Sequence, residues 1–125
     1  MKAIQLKEYG GPEVLQLVEM ERPVPTDHQV LIEIHAIGVN YADTARREGQ
    51  YVVPTKLPFI PGAEIAGVVV ETGESVTNVQ KGDRIVTLIE SGGYAEFALA
   101  DSRGLIPLQD HMEFEQAVAL PLQGL

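Results

Sequence analysis

Five side chains stand where they could do chemistry. Three lie together in "VNYAD": Asn40, Tyr41 and Asp43. A fourth, Tyr51, lies in "EGQYVVP", and the fifth, Glu64, opens the apolar run "FIPGAEIAGVV". Asn40 follows an apolar strand-like run and precedes a helical one. An asparagine there caps a helix, and its amide also offers a donor and an acceptor to a ligand. Asp43, three positions on, shares the helix face of Asn40 and complements the helix N-terminus, an effect of about 0.3–1 kcal/mol. Tyr41 reads either as a core aromatic or as a ring that packs on a flat ligand. Tyr51 sits in a loop with Gly and Pro hinges. Its phenol either plugs that loop or donates to a carbonyl oxygen that gains negative charge. Glu64 enters an apolar stretch, so its carboxylate needs backbone N–H groups, an arginine or a ligand to offset burial.

The elements around these residues read mainly as β. "MKAIQLKEYGG" alternates, with Ala3 and Gln5 on one side and Lys2, Ile4 and Leu6 on the other, and it stops at Gly10-Gly11-Pro12. "VLQLVEMERPVP" is a second strand, stopped by Pro23 and Pro25. "QVLIEIHAIGVN" is the clearest: Val30, Ile32, Ile34 and Ala36 share one face, and Leu31, Glu33, His35 and Ile37 the other. "NYADTARREG" is helical, with Gly49 as its C-cap and Arg46 and Arg47 suiting its dipole. "QYVVPTKLPFIPG" is an irregular loop, because three prolines deny it regular hydrogen bonding. "EIAGVVVETG" is a buried strand in which Gly67 marks a close backbone approach or a bulge. A turn at Lys81-Gly82-Asp83 precedes "RIVTL", and "GGYAEFALAD" and "GLIPL" follow as strands. A second helix covers "EFEQAVALPLQGL", with a weak start signal because Glu113 is a poor N-cap. Short strands at regular spacing imply a small antiparallel barrel or sandwich.

Composition narrows the function. Nine basic residues against eighteen acidic ones leave a net charge of −9, which disfavours nucleic acid and anionic membranes as partners. Cysteine is absent, so there is no disulfide, thiolate nucleophile or Cys-based zinc site. That suits a cytoplasmic protein. The three histidines, His28, His35 and His111, include no i, i+4 pair. No apolar run approaches the ~18 residues of a membrane span, and the N-terminus reads as a strand and not as a signal peptide. Gly62 and Gly67 open a strand instead of a helix, so "GAEIAG" is not a phosphate loop. The chain stops on the apolar "ALPLQGL" and looks cut from something longer.

The succession "GGPEVLQL", "VLIEIHAIGVNYAD", "LPFIPGAEIAGVVVETGESV", "KGDRIV", "GGYAEFAL" and "FEQAVALPLQGL" resembles the medium-chain dehydrogenase/reductase superfamily, in particular its zinc-independent quinone oxidoreductase branch. The resemblance covers the whole chain. It implies that residues 1–125 form a GroES-like domain: a partly open antiparallel β-barrel with two or so short helices. This would be the N-terminal catalytic domain, with the Rossmann domain that binds NADP(H) absent. Zinc-dependent relatives place a cysteine at the position of Asn40 and a histidine at that of Ala63, and the four-cysteine loop is missing between Leu88 and Tyr94. The resemblance therefore implies NADPH as cofactor and no zinc. A quinone or activated enone accepts hydride without a Lewis acid, whereas an unactivated alcohol needs help losing its proton.

On that resemblance Asn40, Asp43 and Tyr51 are the candidate catalytic residues. Asn40, Tyr41, Asp43 and Gln123 are the candidates for holding the cofactor. Gln123 falls where the chain would cross into the second domain, or is simply a solvated helix-end residue. The full-length enzyme is expected to be a homodimer acting on a small quinone or enone, and the fragment alone inactive. The apolar tail "AVALPLQGL" is expected to be exposed and to drive self-association. Two other functions stay open: an enoyl reductase of the same superfamily, some of which carry a tyrosine at the position of Tyr51, and a non-enzymatic GroES-like binding or assembly module.

Overall fold

A computed structural model describes residues 1–38 and 57–118. It is mainly β, as expected, and every strand pair in it is antiparallel. The strands are β1 (Lys2–Leu6), β2 (Leu15–Glu19), β3 (Gln29–Gly38), β4 (Glu64–Thr72), β5 (Arg84–Leu88), β6 (Phe97–Asp101) and β7 (Ile106–Pro107). A short helix, α1 (Phe114–Ala117), follows. The helix expected in 40–49 lies outside the described residues.

The five-stranded sheet runs in the order β6-β3-β4-β5-β7, and β1 and β2 form a separate ribbon. Backbone bonds fasten the ribbon to the rest. Ile4 N–H donates to Tyr94 O at 2.7 Å, and Leu6 and Phe59 exchange bonds of 2.8 and 2.9 Å. Opposite sides of β1 are thereby used differently. Ala3 is buried where it bridges Ala95, and Leu6 is buried with Val14 and Phe59. Pro107 sits on the outermost strand, where a missing N–H costs no ladder bond.

One face of the sheet makes the main core from Val30, Ile32, Ile65, Val69, Ile85, Ala98 and Ala100, with Ile34 packed against it. The β-branched Val and Ile among them suit a pleated surface. Fully burying one such residue contributes about 1.5–3 kcal/mol.

Strand β3 departs from simple alternation. Its pairing with β4 shifts between Leu31 and Ile32, and again between Ile34 and Ala36. Ile34 faces Gly67 and Ala36 faces Ala66, which leaves His35 as the extra residue of a bulge. Ala36 therefore does not share the face of Val30, Ile32 and Ile34, as its spacing predicts; it joins Ala66, Val86, Ala117 and Val118 on the other side. One inserted residue is enough, because side chains alternate with period two. Gly67, the residue opposite Ile34, is the close approach expected for it. A Cβ there would collide with the Glu33 carbonyl, 2.9 Å from its carbon.

Helix α1 also starts more firmly than its sequence suggests. The Gln116 side chain reaches back to accept from the Glu113 N–H at 3.1 Å, one half of a capping box. The apolar tail expected to be exposed begins buried: Ala117 is 0% and Val118 9% exposed.

Candidate functional site

Pairing across the three central strands lines up three rows of residues on the face opposite the main core. The first is Glu33, Val68 and Arg84; the second Ala36, Ala66 and Val86; the third Gly38, Glu64 and Leu88. Helix α1 lies on the first two. Phe114 meets Arg84 and His35, while Ala117 and Val118 cluster with Ala66 and Val86. The small side chains of Ala36 and Ala66 let the helix approach the sheet.

The third row is the mouth of the site. Glu64 is 2% exposed. Its carboxyl group lies against the backbone of Gly38, where an added Cβ would stand 2.7 Å from the Glu64 Cδ. Glycine at 38 therefore makes room for the acid. The turn leading to Glu64 is tied to the segment after β5. Ile89 N–H donates to Ala63 O at 2.6 Å, Gly92 to Ile60 O at 2.8 Å, and Gly93 and Tyr94 to Gly62 O and Pro61 O at 2.9 Å each. Gly62 has φ +102 and touches Gly93 so closely that its Cβ would meet Gly93 Cα at 2.8 Å. Both conditions demand glycine. The sequence reading of Glu64 as a buried carboxylate is thus met in its burial.

The candidate residues Asn40, Tyr41, Asp43, Tyr51 and Gln123 all lie outside the described residues.

A column of side chains escaped the sequence reading. The Arg84 guanidinium donates to the carbonyl oxygens of Gln109 at 3.1 Å, Asp110 at 3.2 Å and Met112 at 2.6 Å. Its central carbon stands 4.5 Å above the Phe114 ring centre. The His35 imidazole stacks on Phe114 with 4.6 Å between ring centres and 26° between planes, and its Nε2 lies 3.0 Å from Glu33 Oε1. Arg84 signalled itself only as a cation at the start of a strand, with nothing to show what it stacks on. A groove of about 590 Å³ also opens between β1 and Ile34–Ile37, bordered by Leu17, Tyr94 and Ala95.

Asp101, at the far end of β6, is held well below the ordinary carboxylate value of 3.8, first by its side-chain bonds from Arg103 and then by the Arg103 backbone N–H. Among the described residues no three acidic or histidine side chains gather as a metal site, and no helix is long and apolar enough to cross a membrane.

Known proteins share this fold. Residues 26–110 match the alcohol dehydrogenase GroES-like domain family. The mouse quinone oxidoreductase is 46% identical over 122 residues, covering 96% of this chain and 37% of that protein. The human synaptic vesicle membrane protein VAT-1 homolog-like protein superposes with a TM-score of 0.94 at 32% identity, over 98% of this chain and 40% of that one. An Escherichia coli quinone oxidoreductase complexed with NADPH superposes with a TM-score of 0.90 at 36% identity, over 95% and 36%. The chain thus spans little more than a third of the length of its relatives. It belongs to the alcohol dehydrogenase GroES-like domain family of the medium-chain dehydrogenase/reductase superfamily, and its relatives include quinone oxidoreductases.

Proposed function

We propose that residues 1–125 are the N-terminal catalytic domain of a reductase that passes hydride from NADPH to a quinone or a similarly activated carbonyl. The observation that carries this reading is the buried Glu64 at the Gly38 rung of a GroES-like domain that is 46% identical to a quinone oxidoreductase and superposes on another complexed with NADPH. Residues 39–63 and the continuation past 118 then supply the polar groups over an apolar floor. Asn40 and Asp43 hold the ribose or carboxamide of the cofactor, Tyr41 packs on its ring, and Gln123 lines the crossing. Tyr51 donates to the acceptor oxygen as it becomes negative.

The described residues fit the ring end of NADPH and not its phosphates. Around Glu64 the rows bring Gly38, Leu88, Ala66 and Val86, none of them cationic. Arg84, on the same face, is already bonded to three carbonyls. On this reading the diphosphate is held by a dinucleotide-binding domain of the longer protein. The cofactor supplies the hydride; the protein supplies position and charge.

The test is NADPH oxidation with a quinone, run on this chain and on the longer protein that its coding sequence specifies. The longer protein turns over and the 125-residue chain does not. Tyr51→Phe lowers kcat by about 10²-fold, as loss of one transition-state donor does. A longer protein that leaves NADPH untouched with quinones and with 2-enoyl thioesters would falsify the reading. Faster turnover of the thioester than of the quinone moves it to the enoyl reductases.

A further inference from the structure

We propose that Arg84, Phe114 and His35 act as one clasp that fixes helix α1 on the β3–β4–β5 sheet, and that they are positioning residues for hydride transfer. The role in hydride transfer rests on the reductase reading; the clasp itself stands on geometry.

Two strands and helix α1 contribute to it. β3 supplies His35, the extra residue of its bulge, which the bulge turns toward α1. β5 supplies Arg84, in the row shared with Val68 and Glu33. Helix α1 supplies Phe114, whose ring has the guanidinium 4.5 Å from its centre and the imidazole 4.6 Å from it. The guanidinium also binds three carbonyls of residues 109–112, immediately before the helix. One arginine thus fixes both the entry to α1 and the plane of its first ring, a use of the planar fork that lysine cannot reproduce. The glutamate at 33 holds the imidazole edge from the far side.

A clasp is needed here because the helix is short. Four helical residues have almost no stability of their own. Its end is held by apolar contact alone, Ala117 and Val118 clustering with Ala66 and Val86 and with Ala36, Leu108 and Met112 packed beside them. Apolar contacts of that kind are non-directional and fix a helix's rotation poorly. The stacked ring supplies the missing direction. A helix free to swivel on Ala66 would lose its alignment with the neighbouring row of Glu64, and misplacement by ångströms at a reacting centre costs on the order of 10²-fold in rate.

Hydrogen–deuterium exchange on the 125-residue chain tests the clasp, with the melting temperature recorded alongside to show that each variant folds. Phe114→Leu keeps apolar bulk without a π face, Phe114→Tyr keeps the face, and Arg84→Lys keeps the charge without the fork. The first and third are expected to speed exchange at residues 112–125 by about threefold, with β3 and β4 amides unchanged, while the tyrosine variant matches wild type. Wild-type exchange in both Phe114→Leu and Arg84→Lys overturns the clasp. In the longer protein, Phe114→Leu is expected to raise the KM for NADPH several-fold more than it lowers kcat, and Phe114→Tyr to restore it. An unchanged KM with faster exchange overturns the positioning role. Wild-type protein that lacks NADPH oxidation altogether overturns the positioning role together with the reductase reading, while the exchange data still decide the clasp.

Discussion

One side of the β3–β4–β5 sheet is filled by Ile32, Ile65, Val69 and Ile85, and the other by Ala36, Ala66 and Val86 beside an arginine, a histidine and a buried acid. The first side is branched, apolar and closed upon itself. The second is built of small side chains that admit a helix, with stacking partners at one end and Glu64 at the other. Stability and site are therefore assigned to opposite faces of the same three strands. Substitutions should separate the two in kind as well as in size.

The largest effect belongs to the closed face. Ile85→Ala empties a fully buried position and is expected to cost about 2–5 kcal/mol in urea unfolding. A cost below about 1 kcal/mol would remove the distinction between the faces. Gly67→Ala comes next, since its Cβ would meet main chain of β3 that cannot turn aside; about 1–3 kcal/mol or more is expected. Gly38→Ala should cost less, about 1 kcal/mol, because the Glu64 carboxyl it strikes is the end of a movable side chain. The signature of that variant is functional: a melting temperature near wild type with impaired turnover in the longer protein. Equal stability losses at positions 38 and 67 would show that the mouth is as rigid as the sheet.

The smallest effect lies away from both faces. Asp101 is depressed in the folded state by the bonds from Arg103. As pH falls below its ordinary value of 3.8, the unfolded chain binds that proton first, and the native state loses this contribution. The contribution is complete above that pH and fades in the acid below it. Both groups are exposed, so solvent and salt weaken the pair. Comparing the acid limb of unfolding for wild type and Arg103→Ala checks the direction: the variant should titrate closer to the ordinary value.

Much of this plan was legible in the residues. Strand-length alternation bounded by Gly and Pro located β1 to β7, and Gly67 announced a close approach. Ala36 was assigned to the wrong face because a bulge is a property of two strands together; nothing in "IEIHAIG" alone marks His35 as the extra residue. The start of α1 was underrated for a similar reason, since Gln116 caps it from inside the helix. Glu64 could be read as buried from the apolar residues around it, but the glycine that makes its room lies twenty-six positions earlier in the sequence. The Arg84 stack joins residues distant in sequence and of unlike chemistry, which periodicity does not detect. Asn40, Tyr41, Asp43, Tyr51 and Gln123 were named from local chemistry and resemblance, and they lie outside the described residues.

Gly38 and Glu64 form the last rung between β3 and β4. The chain between them departs from and returns to adjacent positions on the ladder, and its last stretch, from Phe59 to Ala63, is bonded to Leu6 and to residues 89–94. A connection anchored at both ends in this way can be lengthened or shortened ahead of the anchored stretch at small entropic cost to the scaffold. A lineage built on this barrel can therefore change that connection and leave the strands beneath it as inherited.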